Sequence, residues 1–186
     1  MIGVVLAGGA SSRFGGQPKG LIEIDGRAMA LRVADVLAPL CTRVVIEARA
    51  GVGYEALGLP LVHARHEGKG PLAGIVAGLG LASADERAAF APCDMPLLNG
   101  DVYRALMQAV EVAPGAYAET VDGFEPLVAV LEASMRRALS DVLAQDELPR
   151  THALLDAAGA LAVMFDDGYA FANVNTPEDI ERMRER

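Results

Sequence analysis

Leu6-Ala7-Gly8-Gly9 closes the first apolar run of the chain and opens a glycine-rich stretch that reaches Gly20 and holds two cations, Arg13 and Lys19. Glycines directly after a strand let backbone N–H groups approach a ligand with no side chain between, and neighbouring cations suit an anion such as a phosphate. Two familiar phosphate loops do not fit. The pattern G-x-G-x-x-G fails on Gly8-Gly9-Ala10-Ser11-Ser12-Arg13, and G-K-[ST] fails because neither Lys19 nor Lys69 is followed by Ser or Thr. A solvated surface loop would also use the glycines. The place after strand one, and two cations in an acidic chain, favour phosphate binding.

Asp94 follows the apolar run Ala88–Ala91, then Pro92 and Cys93, and Pro96 closes the turn behind it. A carboxylate there stands at the mouth of a buried strand. Mg²⁺ is commonly held by one or two carboxylates together with substrate phosphates and water; an Asx turn or a helix cap is the alternative use. Cys93 reads as a buried, inert thiol.

Gly68-Lys69-Gly70-Pro71 makes a tight entry to a helix of small residues, with Pro71 at its first position. Near the C-terminus Thr176 reads as an N-cap, Pro177 as the first helical residue and Asp179 as the capping acid. Capping leaves Asn173 and Asn175 unexplained; two apart in an extended segment, they share one face. His63 and His66 read as solvated loop side chains, because no third metal ligand lies near them. Met107, Met135, Met164 and Met183 fall at core spacing.

The elements that must position these residues follow from apolar periodicity. Strands are predicted at Ile2–Ala7, Val44–Ala48, Pro60–Val62, Ala88–Ala91, Ala116–Thr120, Pro126–Leu131, Leu161–Phe165 and Phe171–Asn173. Helices are predicted at Met29–Leu37, Leu72–Leu81, Asp101–Val112, Ala133–Leu143, Arg150–Ala157 and Pro177–Arg184. Val121-Asp122-Gly123 between two strand-like runs suggests a hairpin laid over the sheet edge. Several strands are unbroken apolar runs, which suit a parallel sheet buried on both faces; a three-layer α/β/α sandwich is the expected class. Ligands then belong at the carboxyl ends of the strands.

Composition narrows the field. The 186 residues carry 16 Lys+Arg against 25 Asp+Glu, a net charge of −9, and are 52% hydrophobic and 22% charged. A single domain over residues 1–186 with its own core is expected, and a disordered chain is excluded. The acidic balance argues against nucleic acid and against a polybasic membrane contact. No apolar run approaches the ~20 residues a bilayer needs. The two cysteines give no disulfide framework and suit reduced thiols in the cytoplasm.

Four motifs occur in one order: "LAGGASSRFGGQPKG", "GPLAGI", "CDMPLL" and "NVNTPED". Together they span most of the chain, and the series resembles the molybdenum cofactor guanylyltransferases (the MobA family) of the nucleotidyltransferase superfamily. That resemblance implies a Rossmann-like, mostly parallel sheet of the nucleotide-diphospho-sugar transferase type. It implies transfer of GMP from GTP to molybdopterin with Mg²⁺ and release of pyrophosphate, with molybdoenzymes as recipients of the product. Carried over by residue, Leu6, Ala7, Gly8 and Gly9 would hold the nucleotide through the backbone. Lys19 and Arg13 would neutralise the triphosphate and Asp94 would hold Mg²⁺. Gly70, Pro71, Leu72, Ala73 and Gly74 would form the turn beside the nucleoside, and Asn173 and Asn175 would face the pterin. The chain departs from the pattern in carrying Glu47 where the family commonly has Asn, and Ala64 or its neighbours where it commonly has Asp. Guanine presents donors at N1 and N2, so the Glu47 carboxylate is a candidate acceptor. A cytidylyltransferase of the same pathway, a sugar-phosphate nucleotidyltransferase and a non-catalytic nucleotide-binding adapter are the competing readings. Met95, Asn175 and the Gly70–Gly74 turn favour the guanylyl branch over the cytidylyl one, and Asp94 with Lys19 disfavours the adapter.

Overall fold

The computed structural model describes residues 1–9, 17–66 and 68–184; Arg13 lies outside them. The elements are β1 (Ile2–Leu6), β2 (Glu23–Ile24), β3 (Arg27–Ala28), α1 (Met29–Leu37), β4 (Arg43–Glu47) and β5 (Leu61–Val62), followed by α2 (Pro71–Leu79), β6 (Arg87–Pro92), α3 (Gly100–Ala109), β7 (Gly115–Thr120) and β8 (Gly123–Glu132). The chain continues through α4 (Arg136–Leu143), α5 (Thr151–Ala157), β9 (Leu161–Phe165) and α6 (Pro177–Arg184). Seven strands form one sheet in the order β5-β4-β1-β6-β8-β7-β9, while β2 and β3 pair as a separate short ribbon. Neighbours are parallel except where β8 meets β6 and β7.

The unbroken apolar strands are explained by burial on both faces. In β1 and just beyond it, Val5 and Ala7 pack with α1 and α3, including Ala30, Val33, Leu37, Val102 and Leu106. Val4 and Leu6 face the other way, towards Leu72, Ile75 and Leu79 of α2 and Leu139 of α4. The expected three layers are present. α6 lies on a third, small cluster, where Ile180 and Met183 pack near Ile24, Met29 and Val174. Among the described residues no helix is long and apolar enough to cross a membrane.

Three expectations are corrected. The β7–β8 hairpin is not laid over the sheet edge: β8 inserts between β6 and β7, and its Val128–Leu131 stretch is fully buried. Phe171–Asn173 is no strand, because residues 168–171 form a 3₁₀ turn whose Asp167 side chain accepts from Tyr169 N–H at 2.9 Å. Met164 is 54% exposed, since β9 closes one edge of the sheet and leaves that side chain uncovered.

Chain order sets where a ligand can enter. From β1 the chain proceeds to β4 and β5 on one side, then crosses to β6 on the other. That reversal opens a crevice at the carboxyl ends of β1 and its neighbours.

Candidate active site

Register brings three functional segments level. Leu6, the last residue of β1, pairs with Glu47 on β4 and with Pro92 on β6. Backbone bonds extend the alignment past the strand ends: Ala7 N–H donates to the Glu47 carbonyl at 2.7 Å, and Cys93 N–H to the Leu6 carbonyl at 3.0 Å. The glycine loop, Glu47 and Asp94 therefore sit side by side at the mouth of the sheet. They line a cavity of about 700 Å³, large enough for a small-molecule ligand.

Lys19 is the centre of the polar cluster. Its Nζ donates to Asp94 Oδ2 at 3.0 Å and also to Asn175 Oδ1. Each partner of the Lys19–Asp94 pair is 20% exposed. The turn that carries Lys19 is fixed by Tyr54, whose hydroxyl accepts from Gly20 N–H at 3.2 Å. A Cβ on Gly20 would lie 2.8 Å from that ring, so this position has no room for a side chain. Behind the cluster, burial and then the Asp94 charge push the buried Cys93 thiol up to about 12, which makes it chemically inert at neutral pH.

Asn175 is held by the capping network of α6. Asp179 Oδ2 accepts from the backbone N–H of Asn175 and of Thr176, each at 2.9 Å, and Thr176 Oγ1 accepts from Asp179 N–H at 3.3 Å. Val174 N–H then donates to the Asp94 carbonyl at 2.8 Å, laying the 173–175 segment across the β6 turn. Sequence positions 19, 94 and 175 thus converge through two turns and a helix cap.

Glu125, from β8, feels the charge of this cluster: burial and then the Asp94 charge raise its pKa. Sequence reasoning did not single it out, because only the antiparallel return of β8 beside β6 brings it near. Glu47 is deeper, 6% exposed, and is the one buried charged side chain among the described residues. Burial pushes its pKa up, while hydrogen bonds from the backbone N–H groups of Gly8 and Ala64 act against that.

Of the expected nucleotide residues, Leu6, Ala7, Gly8, Gly9, Lys19, Glu47, Gly70, Pro71, Ala73 and Asp94 line the cavity. Leu72 and Gly74 are buried on α2 without lining it, and Asn173 is exposed outside it. Pro71 starts α2 after Gly70, whose φ of 65° is a left-handed value suited to glycine. The structure adds Arg49, Tyr54, His63, His66 and Leu127 to the wall. His63 Nδ1 sits 2.6 Å from the Ala48 carbonyl. Arg49 follows directly on β4 and Ala48, at a level only the observed register reveals.

Among the described residues no group of three His, Cys, Asp or Glu side chains could hold a metal. A single carboxylate at Asp94 matches an ion that draws its remaining ligands from phosphate oxygens and water, as Mg²⁺ does. A carboxylate, an ammonium and an amide grouped at a parallel-sheet switch point are the apparatus of a phosphate-handling enzyme that works by charge neutralisation.

The chain belongs to the MobA-like NTP transferase domain family, whose model matches residues 3–160. It is 39% identical over 183 residues to the molybdenum cofactor guanylyltransferase of Yersinia pestis strain Pestoides F, covering 96% of this chain and 92% of that relative. Its fold matches the crystal structure of molybdopterin-guanine dinucleotide biosynthesis protein A from Archaeoglobus fulgidus with a TM-score of 0.80 at 24% identity, over 100% of this chain and 97% of the other. It also matches 4-diphosphocytidyl-2C-methyl-D-erythritol synthase from Anaerococcus prevotii with a TM-score of 0.74 at 13% identity, over 100% and 98% of the two chains. A shared fold alone therefore does not select the base.

Proposed function

We propose that this chain transfers GMP from GTP to molybdopterin, releases pyrophosphate and requires Mg²⁺, working in the cytoplasm as one nucleotidyltransferase unit over residues 1–186. The observation that carries the reading is the convergence of Lys19, Asp94 and Asn175 at the mouth of the sheet, in a chain 39% identical to a molybdenum cofactor guanylyltransferase. The glycine loop and the Gly70–Ala73 turn flank the nucleotide, and Asn175 with Asn173 faces the pterin side. Molybdoenzymes receive the product.

The attacking group is a phosphate monoester, anionic at neutral pH, so no strong general base is needed. Its oxygen forms a bond to the α-phosphorus of GTP as the bond to the β-phosphate oxygen breaks and pyrophosphate leaves. Catalysis is then alignment and neutralisation of charge. Lys19, poised on Asp94 and Asn175, supplies a positive charge to the triphosphate, and Arg13 adds a second. Asp94 would hold Mg²⁺, which neutralises charge on the phosphate oxygens when bound. Asn175, fixed by Asp179, aligns Lys19 against the pterin side.

The test is product identity. Purified protein is incubated with molybdopterin carrying its metal, Mg²⁺ and GTP, CTP or ATP, and the product is weighed by mass spectrometry. A GMP adduct with one pyrophosphate released per product is expected. A CMP adduct formed in preference to it would overturn the base assignment, and absence of any adduct would overturn the reading as a transferase.

A further inference from the structure

Gly8 and Gly74 belong to two separate glycine motifs, and neither needs to be glycine for its backbone: φ is not positive at either position. Space is what excludes a side chain. A Cβ on Gly8 would lie 2.9 and 3.0 Å from the two Glu47 carboxylate oxygens, and a Cβ on Gly74 would lie 2.7 Å from Oε2. One carboxylate thus fills the room that both glycines leave. It is almost fully buried, at the inner wall of the nucleotide cavity. An ionised carboxylate in such a place is costly unless polar groups answer it, and the backbone N–H groups of Gly8 and Ala64 favour its charge against burial. Its contacts with Gly8 and Gly74 join the exit of β1, the end of β4 and the first turn of α2.

We propose that Glu47 is a positioning residue: its carboxylate fills the space between the Gly8 loop and the start of α2 at the inner wall of the nucleotide site and sets their spacing, and Gly8 and Gly74 are glycines to make room for it. The inference rests on the reading of this cavity as the nucleotide site. It assigns Glu47 to the spacing of the two glycine segments rather than to the base, because one carboxylate fills the room that both glycines leave.

The experiment is calorimetric titration with Mg²⁺ and two nucleotides, GTP and ITP, the latter lacking the guanine 2-amino group. The variants are Glu47→Gln, Glu47→Ala, Gly74→Ala and the double variant Glu47→Ala/Gly74→Ala, with thermal unfolding confirming that each is folded. Glu47→Gln keeps the size but removes the negative charge that the neighbouring backbone N–H groups favour, and should weaken GTP and ITP alike by roughly tenfold. Gly74→Ala should weaken both nucleotides in the wild-type background. It should add little once Glu47 is Ala, because the methyl then has no carboxylate to displace; the 3.0 Å approach to Leu6 Cδ2 is common to both backgrounds. A loss of GTP at least fivefold greater than that of ITP in Glu47→Gln would make Glu47 a base reader and overturn the proposal. So would additive losses from Glu47→Ala and Gly74→Ala. Should the wild type bind CTP in place of both purines, the guanylyl reading fails, and the same cycle run with CTP still decides the role of Glu47.

Discussion

Replacing Lys19 with Ala should move two observables in opposite directions. Nζ lies 3.0 Å from Asp94 Oδ2, and each side chain is 20% exposed. Removing a preorganised charge that faces the transferring phosphate costs about 3–4 kcal/mol, or roughly 10²–10³ in rate. The same change strips Asp94 of its cation. Opposite unit charges ~4 Å apart attract by about 1 kcal/mol in a water-like medium and about 4 kcal/mol at an effective dielectric of 20. Partial exposure places this pair towards the lower end, about 1–2 kcal/mol, and so roughly 5- to 30-fold in affinity for a competing cation. Pyrophosphate release under saturating GTP and Mg²⁺ reads the first effect; Mn²⁺ titration without nucleotide, followed by electron paramagnetic resonance, reads the second. The variant should turn over at least a hundredfold more slowly and bind Mn²⁺ alone more tightly. A rate within fivefold of wild type, or weaker Mn²⁺ binding, would refute the placement of Lys19 between Asp94 and the phosphates.

Asp94→Asn should abolish pyrophosphate release while shifting the unfolding temperature by only a few degrees; wild-type-like rates at saturating Mg²⁺ would remove Asp94 from the reaction. Gly78→Ala puts a Cβ 2.7 Å from Phe90 Cε1 and 3.0 Å from Val4 Cγ2, both buried. Overpacking of about 1–3 kcal/mol should lower Tm by several degrees, at ~2–4 °C per kcal/mol for a chain of this size; an unchanged or raised Tm would contradict the packing at that contact. The Asp179 carboxyl is held below its usual value of 3.8 by backbone hydrogen bonds from Asn175 and Thr176. A depressed folded pKa contributes stability above the unfolded pKa and loses it as pH falls through the folded one. Asp179→Ala should therefore cost about 1 kcal/mol at pH 7 as a lost cap, and the gap to wild type in chemical denaturation should close below pH 3.8. A gap that persists unchanged at low pH would argue against the cap.

The layers and most elements were legible because unbroken apolar strands and 3.6-residue periodicity report burial directly. Pro71 and Thr176 marked their helix starts by local chemistry, independent of the rest of the chain. The route of β8 was not legible, since a hairpin motif states that two strands pair and leaves open where the pair enters a sheet. Asp94 and Lys19 stood out by residue type and position, yet their contact with one another depends on the Tyr54–Gly20 hydrogen bond and the β6 turn, both set by tertiary packing. The relation of Glu47 to Gly8 and Gly74 was hidden for a similar reason: in sequence Gly8 looks like a phosphate contact and Gly74 like part of the turn beside the nucleoside, and only the fold reveals the side chain that fills their space. Asn173 and Asn175 read as a pair on one face, but only Asn175 touches the Lys19 cluster.

The most direct test of guanylyl transfer as the function is nucleotide-dependent thermal stabilisation of the wild-type protein with GTP, CTP and ATP, each with Mg²⁺. A ligand at 100 times its dissociation constant adds about 2.7 kcal/mol of stability. That corresponds to roughly 5–10 °C in Tm for a chain of this size. A shift of that order with GTP and a clearly smaller one with CTP and ATP is the predicted result; stabilisation by CTP without GTP would contradict it.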